Sequence, residues 1–219
     1  MPLAIFDLDN TLLGGDSDHA WGEFLVNEGI VDGNDFQQQN DAFYLQYQQG
    51  SLDIHAYLRF SLAPLSKYSS AELRVLHDAF MDKYIKPLRL PKADALISKH
   101  RAAGDVLMII TATNSFITGP IAAALGIDIL LASEGEIIDG RYTGNPSGIP
   151  CFQEGKVTRL NTWLKNNDEN LADAYFYSDS HNDLPLLKAV DNPVAVDPDE
   201  KLRSYAEDAG WPVISLRGA

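Results

Sequence analysis

Two aspartates, Asp7 and Asp9, stand at the end of an apolar run, Leu3–Phe6, with the hydroxyl of Thr11 two places on. Side-chain alternation puts both carboxylates on one face of an extended strand, at the point where its apolar character stops. Two later apolar runs also end on reactive side chains: VLMII on Thr111, and AYFYS on Asp179 and Asp183. In open α/β sheets the ligand crevice lies at strand carboxyl ends, so segments far apart in sequence can converge there. Three or four carboxylates gathered in one crevice repel one another unless a hard divalent cation sits among them, and oxygen donors with retained waters suit Mg²⁺. One carboxylate can then attack phosphorus to give an aspartyl-phosphate while a second moves the proton. The oxygens of a transferred phosphoryl group need a hydroxyl, backbone N–H groups and a fixed cation. Thr111, the turn Ala112–Ser115 and Lys156 can supply these.

These residues need a scaffold. From residue 14 to residue 88 apolar positions recur at helical spacing, as in Trp21, Phe24, Leu25 and in Phe43, Tyr44, Tyr47. The pattern predicts helices near 18–29, 33–49, 53–63 and 70–86, broken at Gly29, Gly50 and Pro64. Regular alternation follows: helix 91–103, strand 105–111, helix 114–125, strand 128–132, helix 154–166, strand 174–178, helix 183–190, strand 193–196, helix 199–208 and strand 212–216. That order predicts an α/β fold, a doubly wound parallel sheet with a small all-helical insert. Asp139-Gly140 supplies the two positive-φ positions of a tight hairpin turn within 136–144, which could serve as a flap.

Composition narrows the function. The 219 residues allow one full domain with an insertion. A net charge of −14, with no Lys/Arg cluster, disfavours nucleic acid. Cys151 is the only cysteine, so no intrachain disulfide forms, and neither a signal peptide nor a membrane-length apolar run is found. A cytoplasmic protein without membrane or nucleic-acid partners is expected. An anionic substrate must overcome the field of the whole chain through local cations.

The chain resembles the haloacid dehalogenase (HAD) superfamily phosphatases, in the branch containing phosphoserine phosphatase. DLDNT at 7–11 is similar to the family's first motif, Thr111 to its second, Lys156 in GKVTRL to its third and SDSHND at 178–183 to its fourth. The resemblance implies a Rossmann-like core, residues 1–13 and 89–219, with residues 14–88 as a helical cap. It further implies Asp7 as nucleophile, Asp9 as general acid then base, Asp179 as a Mg²⁺ ligand and Asp183 orienting metal-bound water. The metal set is then Asp7, Asp9, Asp179 and Asp183, Asp9 also through its carbonyl, with Ala112 and Asn182 against the substrate. Ser180 and His181 depart from the small residues usual in that branch. The cap of the serine enzyme carries a Glu and an Arg for its amino acid; Asp16 or Asp18 and Arg59 are the counterparts here. The implied reaction is hydrolysis of a small phosphorylated metabolite bearing an amine, such as histidinol phosphate or phosphoserine. Transfer to another alcohol and a receiver-like phospho-acceptor switch are the rival classes; the helical insert opposes the switch.

Ordinary structural roles compete for several of these residues. Asp16, Ser17 and Asp18 also read as an N-cap and acidic first turn. Arg59 also reads as an aliphatic stem on a surface. The aromatic series Phe36, Phe43, Tyr44, Tyr47, Tyr57 and Phe60 reads as cap core, and His55, His77 and His100 as solvated helix residues.

Overall fold

The computed structural model describes residues 1–218. Its strands are β1 (Leu3–Phe6), β2 (Val106–Asn114), β3 (Ile129–Ile138), β4 (Arg141–Ser147), β5 (Tyr175–Ser178), β6 (Asn192–Val196) and β7 (Val213–Ile214). They form one seven-stranded sheet in the order β4-β3-β2-β1-β5-β6-β7, parallel except for the β3–β4 hairpin. The chain winds outward from β1 to β4, then returns to lay β5 on the other side of β1. The winding therefore reverses beside β1, where an open sheet leaves a crevice at its carboxyl edge.

All four residues of β1 are fully buried, and their alternation divides the interior. Ala4 and Phe6 join an apolar cluster with Ile97, Ile117 and Ile121 that continues into Trp21, Phe24, Leu62 and Phe80. Leu3 and Ile5 face a second cluster with Leu160, Leu186 and Leu202. The first draws on α6 (Pro91–Ala103) and α7 (Ser115–Leu125), the second on α8 (Glu154–Asn167), α9 (Leu184–Leu187) and α10 (Glu200–Ala209). A strand buried on both faces is what the unbroken apolar run of β1 demands.

The link from β1 to α6 carries α1 (Ser17–Asn27), α2 (Gly33–Gln49), α3 (Ile54–Leu62), α4 (Ser70–Phe80) and α5 (Lys86–Leu88). Trp21 packs edge-on to Phe80 and Phe116, with ring centroids 5.1 and 5.3 Å apart, which joins α1 and α4 to α7 of the sheet layer. The stretch expected as one helix over 70–86 stays helical throughout, α4 passing through a wider turn, Met81–Ile85, into α5.

Other differences have local causes. β2 runs to Asn114 rather than Thr111, and its ladder to β3 breaks between Ile110 and Asn114. β3 runs to Ile138 because its second half pairs with β4, and both turn residues, Asp139 and Gly140, have positive φ as expected. The helix expected over 183–190 is a tight turn, His181–Asp183, followed by the short α9, and the last strand contracts to two residues. His77 and His100 are buried rather than solvated, at 3% and 4% exposure. His77 bonds the Ile117 carbonyl, and His100 bridges Asp105 and the Tyr177 hydroxyl. No helix among the described residues is long and apolar enough to cross a membrane.

Candidate active site

The chain leaves β1 in an extended residue, Asp7, whose N–H donates to the Tyr177 carbonyl at 2.9 Å. A wide turn, Leu8–Leu12, follows, with Asn10 at φ 57°. This registers Asp7 against the end of β5. Asp7 is 3% exposed, and its Oδ1 accepts a 2.8 Å bond from Lys156 Nζ. The same ammonium donates to Asp183 Oδ2 at 2.8 Å, and the Ser178 hydroxyl donates to that oxygen at 2.7 Å. Lys156 lies in the first turn of α8, where a cation opposes the helix dipole. Two carboxylates offset that: burial alone would lower its pKa, but Asp183 and Asp7 hold it well above the ordinary lysine range. Gly155 makes the approach possible, since a Cβ there would lie 2.1 Å from the Pro150 carbonyl oxygen.

Asp9 is gripped from both sides. Its Oδ1 accepts from the Ser17 N–H at the start of α1, at 2.6 Å, and its Oδ2 from the Thr113 hydroxyl at 2.7 Å. Burial, then the charge of Asp16, pushes Asp9 up to about 6 despite these bonds. Burial raises Asp7 further, to about 7, with Lys156 opposing and Asp183 and Asp9 adding to the rise. Asp179 accepts from the Thr11 hydroxyl at 3.0 Å, and burial followed by the charges of Asp7 and Asp183 lifts it well above the carboxylate range.

Asp7 and Asp9 open into a cleft that rises between the sheet edge and the helical segment. Thr111, Ala112 and Thr113 line its floor, where β2 has left its ladder with β3. Asp16, Asp18 and His19 of the α1 start line its walls together with Phe43, Tyr44 and Tyr47 of α2 and Tyr57 of α3, the His19 and Tyr44 rings lying 4.8 Å apart. Asp16 caps α1, accepting from the N–H groups of Asp18 and His19, so the capping role and a place in the cleft coexist. Asp18 accepts from the Ser61 hydroxyl at 3.0 Å, and burial pushes both Asp16 and Asp18 up to about 6. His19 is paired with Asp41 at 2.8 Å.

Residues 4–188 match the family model of the haloacid dehalogenase-like hydrolases. The chain belongs to that family. This hydrolase is 49% identical over 219 residues to a histidinol-phosphatase of Neisseria meningitidis serogroup C, covering 98% of this chain and 99% of that one. A solved protein of unknown function from Bordetella pertussis Tohama I is similar at a TM-score of 0.93 and 44% identity over 99% of both chains. A phospho-aspartyl intermediate analogue of phosphoserine phosphatase shares the fold, at a TM-score of 0.72, 18% identity, and coverage of 99% of this chain and 93% of that one. The hydrolase is a phosphatase with a Rossmann-like HAD core.

Among the residues anticipated from sequence, Asp7, Asp9, Asp16, Thr111 and Ala112 line the cleft of this hydrolase, and Lys156 and Asp183 contact Asp7 directly or through one another. Asn182 is 3% exposed and bonds the Tyr47 carbonyl and the Gln153 side chain instead of pointing free. Arg59 is exposed and lies off the cleft. On α3 the helical period sends Tyr57 to the cleft and Leu58 and Leu62 to the core, which leaves residue 59 facing outward. The four residues expected around a metal are engaged differently from one another. Among the described residues no three His, Cys, Asp or Glu side chains are arranged to hold a metal ion. Asp9 spends both oxygens on Ser17 and Thr113, and Asp183 Oδ2 is engaged by Lys156 and Ser178. Asp7 and Asp179 remain, two carboxylates raised chiefly by burial, Asp179 also by the charge of Asp7, a donor set that fits Mg²⁺, which takes one or two carboxylates and fills its shell with water and phosphate oxygens. Thr113, Ser178 and Gln153 were missed. Thr113 had a signal in its place two residues beyond Thr111, and Gln153 shows itself only in its backbone, at φ 48°.

Proposed function

We propose that the chain is a Mg²⁺-dependent phosphomonoesterase acting on a small amine-bearing alcohol phosphate, histidinol phosphate or a close analogue, through an aspartyl-phosphate on Asp7. Residues 14–88 act as the cap over a core of residues 1–13 and 89–219. The observation that carries the substrate class is the charge of the cleft. Asp7, Asp9, Asp16 and Asp18 line it, its histidine is paired with Asp41, and among the described residues no Lys or Arg lines it. An ammonium group is attracted to Asp16 and Asp18. Phosphoserine brings a carboxylate as well, and two like charges about 4 Å apart near a protein surface repel by roughly 4 kcal/mol. The aromatic faces of Phe43, Tyr44, Tyr47 and Tyr57 suit an imidazole ring, neutral or cationic. The relative named histidinol-phosphatase, nearly half identical along its whole length, supports the same choice.

In this mechanism an Asp7 oxygen attacks phosphorus, the bond from phosphorus to the substrate oxygen breaks, and the leaving alkoxide takes a proton from Asp9. Asp9, with its pKa held near 6, gives up that proton and then takes one from water. The water oxygen bonds to phosphorus, the Asp7–phosphorus bond breaks, and inorganic phosphate leaves. Ser17 N–H and the Thr113 hydroxyl keep Asp9 in place through both steps. Lys156 restrains Asp7 and balances its charge, Asp183 positions Lys156, and Thr111 and Ala112 border the phosphoryl group. Asp7, Asp179 and the Asp9 carbonyl would hold Mg²⁺, which supplies positive charge to the phosphoryl oxygens.

The test is a phosphate-release panel of histidinol phosphate, phosphoserine and sugar phosphates, with and without EDTA. Histidinol phosphate should exceed phosphoserine in kcat/KM by about 100-fold or more, since each 1.4 kcal/mol is tenfold. Phosphoserine or a sugar phosphate ranking first would overturn the substrate class, and full activity in EDTA the metal. Product analysis with added acceptor alcohols separates hydrolysis from phosphoryl transfer.

A further inference from the structure

The aromatic wall of the cleft is held from outside the cleft. α2 contributes Phe43, Tyr44 and Tyr47 to that wall, yet Asn40 is its only fully buried residue. Asn40 anchors the middle of α2 to α1, donating to the His19 carbonyl at 3.0 Å. Toward the carboxyl end α2 holds no buried residue, Tyr47 meeting Phe152 with ring centroids 6.1 Å apart, and a helix end leaves carbonyls without partners inside the helix. Here side chains from the turn after β5 and from α10 bond the last carbonyls, that of Tyr47 in addition to the Gly50 N–H. Asn182 donates to the Tyr47 carbonyl at 3.0 Å, and Lys201 Nζ donates to the Gln49 carbonyl at 3.1 Å.

Between these two donors stands His181. Asp199 fixes it twice, accepting from its backbone N–H at 2.8 Å and bonding its ring Nδ1 at 2.7 Å. With the Nδ1 proton directed at Asp199, Nε2 is left as an acceptor, and Lys201 Nζ lies 3.4 Å from it. The imidazole edge abuts the end of α2 at Gly50, where the backbone is left-handed at φ 76°. A Cβ on residue 50 would come within 2.6 Å of His181 Nε2, so the approach requires glycine sterically as well as conformationally. Lys201 in addition sets a positive charge at the negative end of the α2 dipole.

We propose that His181 and Lys201 form a strut, braced by Asp199, that positions the carboxyl half of α2 and so sets the width of the substrate cleft at its aromatic wall. They are positioning residues, outside the cleft lining, and they act through Tyr47 and its neighbours. This gives a role to the histidine that departs from the small residues of phosphoserine-phosphatase-like chains. It also separates binding from chemistry, because the strut touches neither Asp7 nor Asp9. A substrate that fills the cleft up to α2 should depend on it, and a substrate that meets only the phosphoryl end should not.

The inference rests on the proposed substrate for one of its two readouts only. Lys201→Met should raise KM for histidinol phosphate about three- to fivefold, the size of one partly exposed charge-assisted hydrogen bond, with kcat within about twofold. Turnover of p-nitrophenyl phosphate should stay within about twofold, and Lys201→Arg should restore KM. The second readout needs no substrate. Hydrogen exchange at the Gly50 and Ser51 amides, which close the end of α2 onto Tyr47 and Gln46, should quicken by a similar factor in Lys201→Met and in His181→Ala, with α1 unchanged. Faster exchange without histidinol phosphate turnover would uphold the strut and remove the substrate assignment. Unchanged exchange in both variants, or a parallel loss of kcat on both substrates, would overturn the strut.

Discussion

Lys156→Met replaces a buried ammonium with a neutral side chain of similar length, and the structure states what it leaves behind. One nitrogen contacts Asp7 and Asp183 at 2.8 Å each, all three residues being almost inaccessible to water. Removing one partner of a buried pair costs about 3–5 kcal/mol, and a cation shared by two carboxylates belongs at the upper end. For a chain of this size each kcal/mol moves Tm by about 2–4 °C, so Tm should fall by roughly 10–20 °C at pH 8. The loss carries a pH signature. Asp7 stands at about 7 in the folded state against an ordinary 3.8, so folding favours its protonated form and stability is lost as pH rises through that window. Lys156 opposes that rise, and without it the folded value climbs further. The variant should therefore lose most at pH 8 and recover toward wild type at pH 5, where Asp7 is neutral. Scanning calorimetry in EDTA at both pH values measures this, with initial rates alongside, which should drop by about 10²–10³. A fall in Tm of equal size at pH 5 and pH 8 would refute the electrostatic argument, and one below about 2 °C would deny Lys156 its place between the carboxylates.

Four further outcomes are expected. Asp7→Asn should abolish phosphate release and covalent labelling, whereas Asp9→Asn should slow both half-reactions and keep Mg²⁺ binding; isotope labelling and calorimetric titration separate the two. Thr113→Val deletes a hydrogen bond to the charged form of Asp9, so its pKa should move above about 6, shifting the acid limb of the kcat profile upward and lowering kcat about tenfold. Mg²⁺ should raise Tm more at pH 8 than at pH 5, because Asp7 and Asp179 bind it only when ionised and both are raised; equal shifts would place the ion elsewhere. Arg59→Ala, at an exposed position off the cleft, should leave KM for histidinol phosphate unchanged, and a several-fold rise would return Arg59 to the site.

Much of the site was legible because its parts sit at strand ends, where apolar runs stop abruptly on Asp7, Thr111 and Asp179. The strand and helix succession was legible for the same reason, through period and punctuation. Arg59 lies exposed and off the cleft, since residue type suggests a role but only helical phase decides a direction. The four acidic residues expected around a metal look equivalent in a sequence. In the fold, Asp9 is taken by Ser17 and Thr113 and Asp183 by Lys156 and Ser178. His77 and His100 were misjudged as solvated since each buried ring depends on a partner 40 or 77 residues away.

The one-dimensional pattern was enough for the fold class, the order of the reactive segments and the chemistry that two strand-end carboxylates invite, since these follow from local periodicity and residue type. The charge of the cleft, the grip on Asp9 and the brace behind α2 were decided only by tertiary structure. Each depends on the distance and direction between side chains brought together from separate elements, and those are set by how the helical segment packs against the sheet.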